Sequence, residues 1–174
     1  MSRGARNHDK LQFRLGYRFA DPDLLSRALT HSSAVSPAKR IERSYQRLEF
    51  LGDRVLGLVV ADMLYRRYPK ANEGELSRTL NTLVRKETCA IIARTLDLGS
   101  ELNLGDSEAR TGGAEKEAIL GDMTEAVIGA IKDLLIPQAQ NAELKELLTG
   151  VLPAFDAHLG HAKMLQKELN GKQY

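Results

Sequence analysis

Residues 44–68 read SYQRLEFLGDRVLGLVVADMLYRRY and are followed at once by Pro69. Leu48, Leu51, Val55, Leu58, Val59 and Met63 recur through this stretch at mostly three- and four-residue intervals, the period of one face of an α-helix. Proline cannot continue the hydrogen-bonded spiral, so the run predicts one long buried helix that ends by Tyr68. Two acids near its start break its apolar character. Glu49 and Asp53 stand four residues apart, which puts both carboxylates on one helical face within a turn of each other.

The same spacing extends outward in both directions, and two-residue alternation of useful length is absent, so the chain is expected to be all-α. Upstream, His8 to Leu15 reads as a short helix closed by Gly16. Asp21-Pro22 then supplies an N-cap and a first-turn proline for a second helix through Leu29, with a loop over Thr30 to Lys39. Downstream of the turn Pro69 to Gly74, one helix is expected around Leu76, Leu80 and Leu83. Another is expected around Ile91, Ile92 and Leu96, stopping at Gly99. Gly105 to Gly113 is polar and glycine-bearing and reads as an exposed loop. Lys116 to Leu135 is a further apolar helix, with Pro137 beyond it, and Asn141 to Leu152 and Asp156 to Leu169 give one or two final helices.

A chain of 174 residues with 43% hydrophobic and 28% charged side chains can bury a core of its own as one ordinary domain. Cys89 is the only cysteine, which excludes an intrachain disulfide and leaves a thiolate zinc site without ligands, so it is read as a small core residue. No apolar run approaches the roughly 18 residues that cross a bilayer. The first residues carry charge without the apolar stretch of a secretory signal, so no membrane partner and a cytoplasmic location are expected. A net charge of only +2 says little about nucleic acid as a partner.

A second pair of acids, Asp122 and Glu125, sits three residues apart inside the apolar run from Ile119 to Ile131. Clustered carboxylates repel one another and resist burial unless a cation neutralises them, and hard oxygen ligands suit magnesium, with manganese as the alternative. On spacing alone a metal site competes evenly with surface charge or ion pairs to nearby arginines.

The residues around these acids resemble the ribonuclease III family. Its signature E-R-L-E-F-L-G-D is met by Gln46-Arg47-Leu48-Glu49-Phe50-Leu51-Gly52-Asp53, a match at seven of eight positions. Leu29-Thr30-His31, Glu73-Gly74-Glu75-Leu76-Ser77, and Asp122 with Glu125 ahead of Ala126-Val127-Ile128-Gly129-Ala130-Ile131 follow in the family's order. The resemblance spans about residues 10 to 135.

What it implies is a homodimeric, magnesium-dependent endonuclease on the all-helical catalytic domain of that family. Such an enzyme hydrolyses both strands of double-stranded RNA to 5′-phosphate and 3′-hydroxyl ends with short 3′ overhangs, in ribosomal and messenger RNA processing. Carried over by position, Glu49, Asp122 and Glu125 hold one metal, while the catalytic pair Asp53 and Glu125 holds or positions a second metal and the attacking water. Glu75 falls at a supporting acid, and Phe50 at the dimer interface, with ordinary intrachain core as the other reading. Arg78, Arg110 and Lys116 are candidates for phosphate contacts, with solvated surface charge equally open. His31, alone at a helix end, is read as structural.

Three features depart from the family pattern. Gln46 replaces the leading glutamate, removing one negative charge from the cluster while keeping an amide that can support a water. Lys132-Asp133-Leu134-Leu135 replaces the usual tyrosine-leucine-aspartate-glycine-glycine. The third is the double-stranded RNA-binding domain that bacterial members usually carry after the catalytic one: the catalytic domain is placed at residues 1–155, and 156–174 is expected to be a C-terminal helix or linker, too short for such a domain. A module that keeps the fold without catalysis is the competing reading, and the presence of Glu49, Asp53, Asp122 and Glu125 argues against it.

Overall fold

The computed structural model describes residues 8–135, and among them every regular element is helical. The opening stretch becomes α4 in chain order, spanning Gln46–Arg67, and the chain leaves helical geometry at Tyr68 ahead of Pro69. Before it come α1 (Asp9–Leu15), α2 (Pro22–Ala28) and the single turn α3 (Arg40–Arg43). Gly16 closes α1 at a φ of 63°, the left-handed conformation that glycine adopts without a Cβ penalty. Asp21 caps α2 by accepting the Asp23 N–H at 2.9 Å, so the expected cap and first-turn proline are both in place.

After α4 the order is α5 (Glu73–Leu83), α6 (Lys86–Thr95), α7 (Asp106–Arg110) and α8 (Glu117–Leu135). Two sequence expectations are corrected here. The segment from Gly105 to Gly113 is not simply an exposed loop: it holds α7, and Gly113 is buried. A Cβ at Gly113 would stand 2.8 Å from Glu108, and one at Gly105 would stand 2.3 Å from Ser33 O. These glycines serve close packing as well as turning.

The second correction concerns α4, which is not buried along its apolar residues. Leu48, Gly52 and Leu64 face the core, whereas Leu58, Val59 and Met63 are exposed. Helical periodicity identifies an apolar face without saying whether the same chain covers it.

Leu11, Leu25, Leu29, Leu98, Leu120 and Met123 are the large side chains sealed in the centre, each worth about 1.5–3 kcal/mol of burial. Cys89 lies with them, and burial pushes its thiol up to about 11, as suits an inert core residue. Thr124 on α8 places its hydroxyl 3.0 Å from Cys89 O and from Leu120 O, tying α8 to α6. At the entry to α4, the Asn103 N–H donates to Leu29 O, the His31 N–H to Asn103 O and the Tyr45 N–H to Thr30 O, at 2.8–3.0 Å. This small backbone junction fixes the start of the helix that carries Glu49. The helices expected beyond α8 and the domain boundary after residue 155 lie outside the described residues.

Candidate metal centre

Glu49 lies in the first turn of α4, and Asp53 one turn later. Asp122 and Glu125 belong to α8. The two helices meet through glycine: a Cβ at Gly52 would stand 1.7 Å from Glu125 O, and one at Gly129 would stand 2.1 Å from Leu48 O. Backbones can approach this closely only where neither residue carries a side chain. The consequence is chemical, because the approach brings acids some 70 residues apart in sequence onto one spot. Carboxylate oxygens of Glu49, Asp122 and Glu125 all lie within 4.8 Å of one another.

Asp53 is not one of those three. It lines the same groove of about 360 Å³ together with Glu49, Glu125, Val84 and Lys86, and it forms an ion pair with its neighbour Arg54. The Arg54 guanidinium also lies 5.6 Å from the centre of the Phe50 ring.

Electrostatics follow from this crowding. Glu125 is only 5% exposed; burial first, then the charges of Asp53 and Asp122, raise its carboxyl to about 7. Burial and Asp122 likewise hold Glu49 above the usual carboxylate range. One cation already answers the cluster: Lys86 Nζ donates to Asp122 Oδ1 at 2.5 Å, and that hydrogen bond raises the lysine's own pKa. Converging oxygen donors that cannot all stay charged without compensation fit a hard divalent cation, and Glu49, Asp122 and Glu125 are the residues that could hold one.

The remaining sequence candidates stand elsewhere or have other partners. Gln46 is exposed, and its amide oxygen accepts from Ser44 Oγ at 3.3 Å. Glu75 closes a capping box on α5, accepting the Asn72 N–H at 2.9 Å while Asn72 Oδ1 accepts the Glu75 N–H at 3.0 Å. Lys116 donates to Glu108 at 2.5 Å and to Thr111 at 3.2 Å, Arg110 donates to the Asp106 carbonyl, and Arg78 is exposed on α5. His31 Nδ1 accepts from the Ser33 N–H at 3.1 Å, and its ring meets Tyr45 edge-on at 5.5 Å, an anchoring role consistent with its structural reading. Lys86 and Arg85 escaped the sequence reading, because neither falls on a periodic face or in the signature.

A family model described as Ribonuclease-III-like matches residues 21–143, a stretch that contains both acid pairs and both helices bearing them. The chain belongs to the ribonuclease III family. Ribonuclease 3 of Rhodopseudomonas palustris is 59% identical over 121 residues, covering 70% of this chain and 44% of that protein. Ribonuclease 3 of Pasteurella multocida is 42% identical over 176 residues, covering 97% of this chain and 73% of its own. The nuclease domain of ribonuclease III from Campylobacter jejuni, described with a flexible region involved in dimer formation, superposes with a TM-score of 0.67 at 43% identity. That match covers 72% of this chain and 84% of the Campylobacter chain. The described helices therefore have the ribonuclease III nuclease-domain fold. The chain spans about half the length of several of the ribonuclease 3 relatives it matches. No described helix is long and apolar enough to cross a membrane.

Proposed function

We propose that this chain is a magnesium-dependent endonuclease that hydrolyses double-stranded RNA, working as a homodimer. The observation that carries the reading is the convergence of Glu49, Asp122 and Glu125 within 4.8 Å on the two helices that the family model spans. A divalent cation held there supplies Lewis acidity and an activated water for phosphodiester hydrolysis. Magnesium is the proposed ion, and manganese shares its preference for oxygen ligands.

Each side chain has a role that its surroundings support. Glu125, buried and raised to about 7, gives up its proton as it takes up its ligand role. Glu49 and Asp122 complete the carboxylate set from the two facing helices. Asp53 lines the groove beside Glu125 and, with it, offers the oxygens for a second cation or for orienting the attacking water. Attack of water on phosphorus, with the P–O3′ bond breaking and O3′ leaving as the hydroxyl, gives 5′-phosphate and 3′-hydroxyl ends, and two offset centres facing opposite strands give the short 3′ overhangs.

Arg85 and Lys86 stand on the groove and join Arg78, Arg110 and Lys116 as proposed phosphate contacts. Of these, Lys116, Lys86 and Arg85 must first exchange their partners Glu108, Asp122 and Glu87. Gln46 and Glu75 are the supporting groups that the family pattern implies, the first bonded to Ser44 and the second capping α5 in this structure. Processing of ribosomal and messenger RNA in the cytoplasm is the setting it implies.

Incubation of the full chain with a duplex RNA, with and without magnesium, tests the proposal. Magnesium-dependent cuts on both strands with 3′ overhangs are expected. Binding without cleavage at any magnesium concentration overturns it in favour of a non-catalytic RNA-binding module.

A further inference from the structure

Lys86 opens α6, and its backbone is held hard against α8. A Cβ at Gly121 would stand 3.1 Å from Lys86 O and 3.3 Å from Lys86 Cβ, so glycine beside Asp122 is what lets the first turn of α6 come so near. One turn further along both helices, Thr124 reaches Cys89 O at 3.0 Å. The point from which the lysine stem departs is thus fixed from two sides. From there the ammonium reaches Asp122 Oδ1 at 2.5 Å and lines the groove with Glu49, Asp53 and Glu125.

The geometry points to Lys86 as the acid centre's own counter-cation: its ammonium stands on Asp122 in the cation-free protein and is displaced when a divalent cation takes that carboxylate. This rests on the metal reading given above. Whenever the three carboxylates that converge within 4.8 Å are charged, the two helices that carry them repel at their contact unless a positive charge stands among them. Asp122 is rigidly mounted, with its side chain 19% exposed, whereas the Lys86 side chain is 54% exposed on a flexible four-carbon stem. Cation entry therefore moves the lysine and leaves the carboxylates in place.

Two opposite effects follow from one contact. Lys86 steadies the cation-free fold by offsetting repulsion among the acids, and it weakens cation binding because it must be released and then remains nearby as a like charge. A lysine that served packing alone would not separate these effects.

The test uses the full chain, titrated with Mn2+ by calorimetry and melted in EDTA and in Mn2+, for the parent, Lys86→Met and Lys86→Arg. Glu125→Gln marks which binding belongs to the centre. Lys86→Met is expected to bind Mn2+ roughly fivefold more tightly, the scale of one partly exposed ion pair, yet to melt lower in EDTA and gain more from Mn2+. Lys86→Arg, which keeps the charge, should resemble the parent in both. Unchanged or weaker Mn2+ binding by Lys86→Met, while the parent binds normally, overturns the counter-cation role and leaves the metal reading intact. Absence in every variant of any Mn2+ binding that Glu125→Gln removes overturns both.

Discussion

Glu125 concentrates what is unusual at the scale of one residue: a carboxyl only 5% exposed, among three other acids, raised to about 7. If it holds the cation, Glu125→Gln should lower cleavage by more than about a hundredfold, beyond the loss typical of residues that merely orient ligands, and leave duplex binding unchanged. Near-parental turnover at saturating magnesium would contradict the assignment. A pH dependence follows as well. Unfolded, this carboxyl titrates near its ordinary 4.5; folded, it titrates near 7. Between those values the native state binds the extra proton, so stability of the cation-free protein is greatest below the window and falls as pH rises through it. Glu49, raised in the same direction, adds to the fall. Melting temperatures in EDTA across the window should therefore decline with pH, and Glu125→Gln should flatten the decline. A parent that melts higher as pH rises through the window would show the sign to be wrong.

Between elements, the decisive contact is the crossing of α4 on α8. Gly52→Ala inserts a methyl where Glu125 O stands 1.7 Å from the ideal Cβ, and helix backbone cannot yield as a flexible side chain can. The expected cost is about 3 kcal/mol or more, read as a lower urea midpoint, together with loss of cation binding as the acids separate. Gly57 on the same helix has nothing within 4 Å of its Cβ position, so Gly57→Ala should be neutral or mildly stabilising in the monomeric chain. Equal destabilisation by the two substitutions would show that helix propensity, and not the crossing, is being measured. The pattern Asn72-x-x-Glu75 makes the same point for a local contact. It is a capping box readable from sequence, so the acid that the resemblance places among the supporting groups visibly holds a helix end.

At the scale of the molecule, part of α4 stays uncovered by the other described residues. Phe50 is 69% exposed, Leu58 71%, and Tyr65 is exposed further along the same side of the helix, large apolar side chains that soluble monomers seldom leave to water together. In the proposed homodimer, a two-fold pair in which each copy covers the other's α4 would account for it and would give each RNA strand its own centre. Sedimentation of the parent at micromolar concentration should show a dimer, and Leu58→Glu should shift it to monomer without lowering helicity, since that side chain makes little of the described core. A strictly monomeric parent that still cuts duplex RNA would defeat this arrangement.

Among the described residues, sequence alone determined α1, α2, α4, α5, α6 and α8, because capping, proline breaks and apolar periodicity act over about four residues and are written locally. It also placed Glu49 with Asp53, and Asp122 with Glu125, on single helical faces. Tertiary structure decided the rest, through partners far apart in the chain. It joined Glu49 to Asp122 and Glu125 and left Asp53 beside them with Arg54. It set Lys86 on Asp122, seated the start of α7 against Ser33 through Gly105, and left part of the apolar surface of α4 uncovered by the other described residues. These outcomes depend on how closely α4, α6 and α8 approach, and that distance is set by glycines whose role appears only when another helix lies against them.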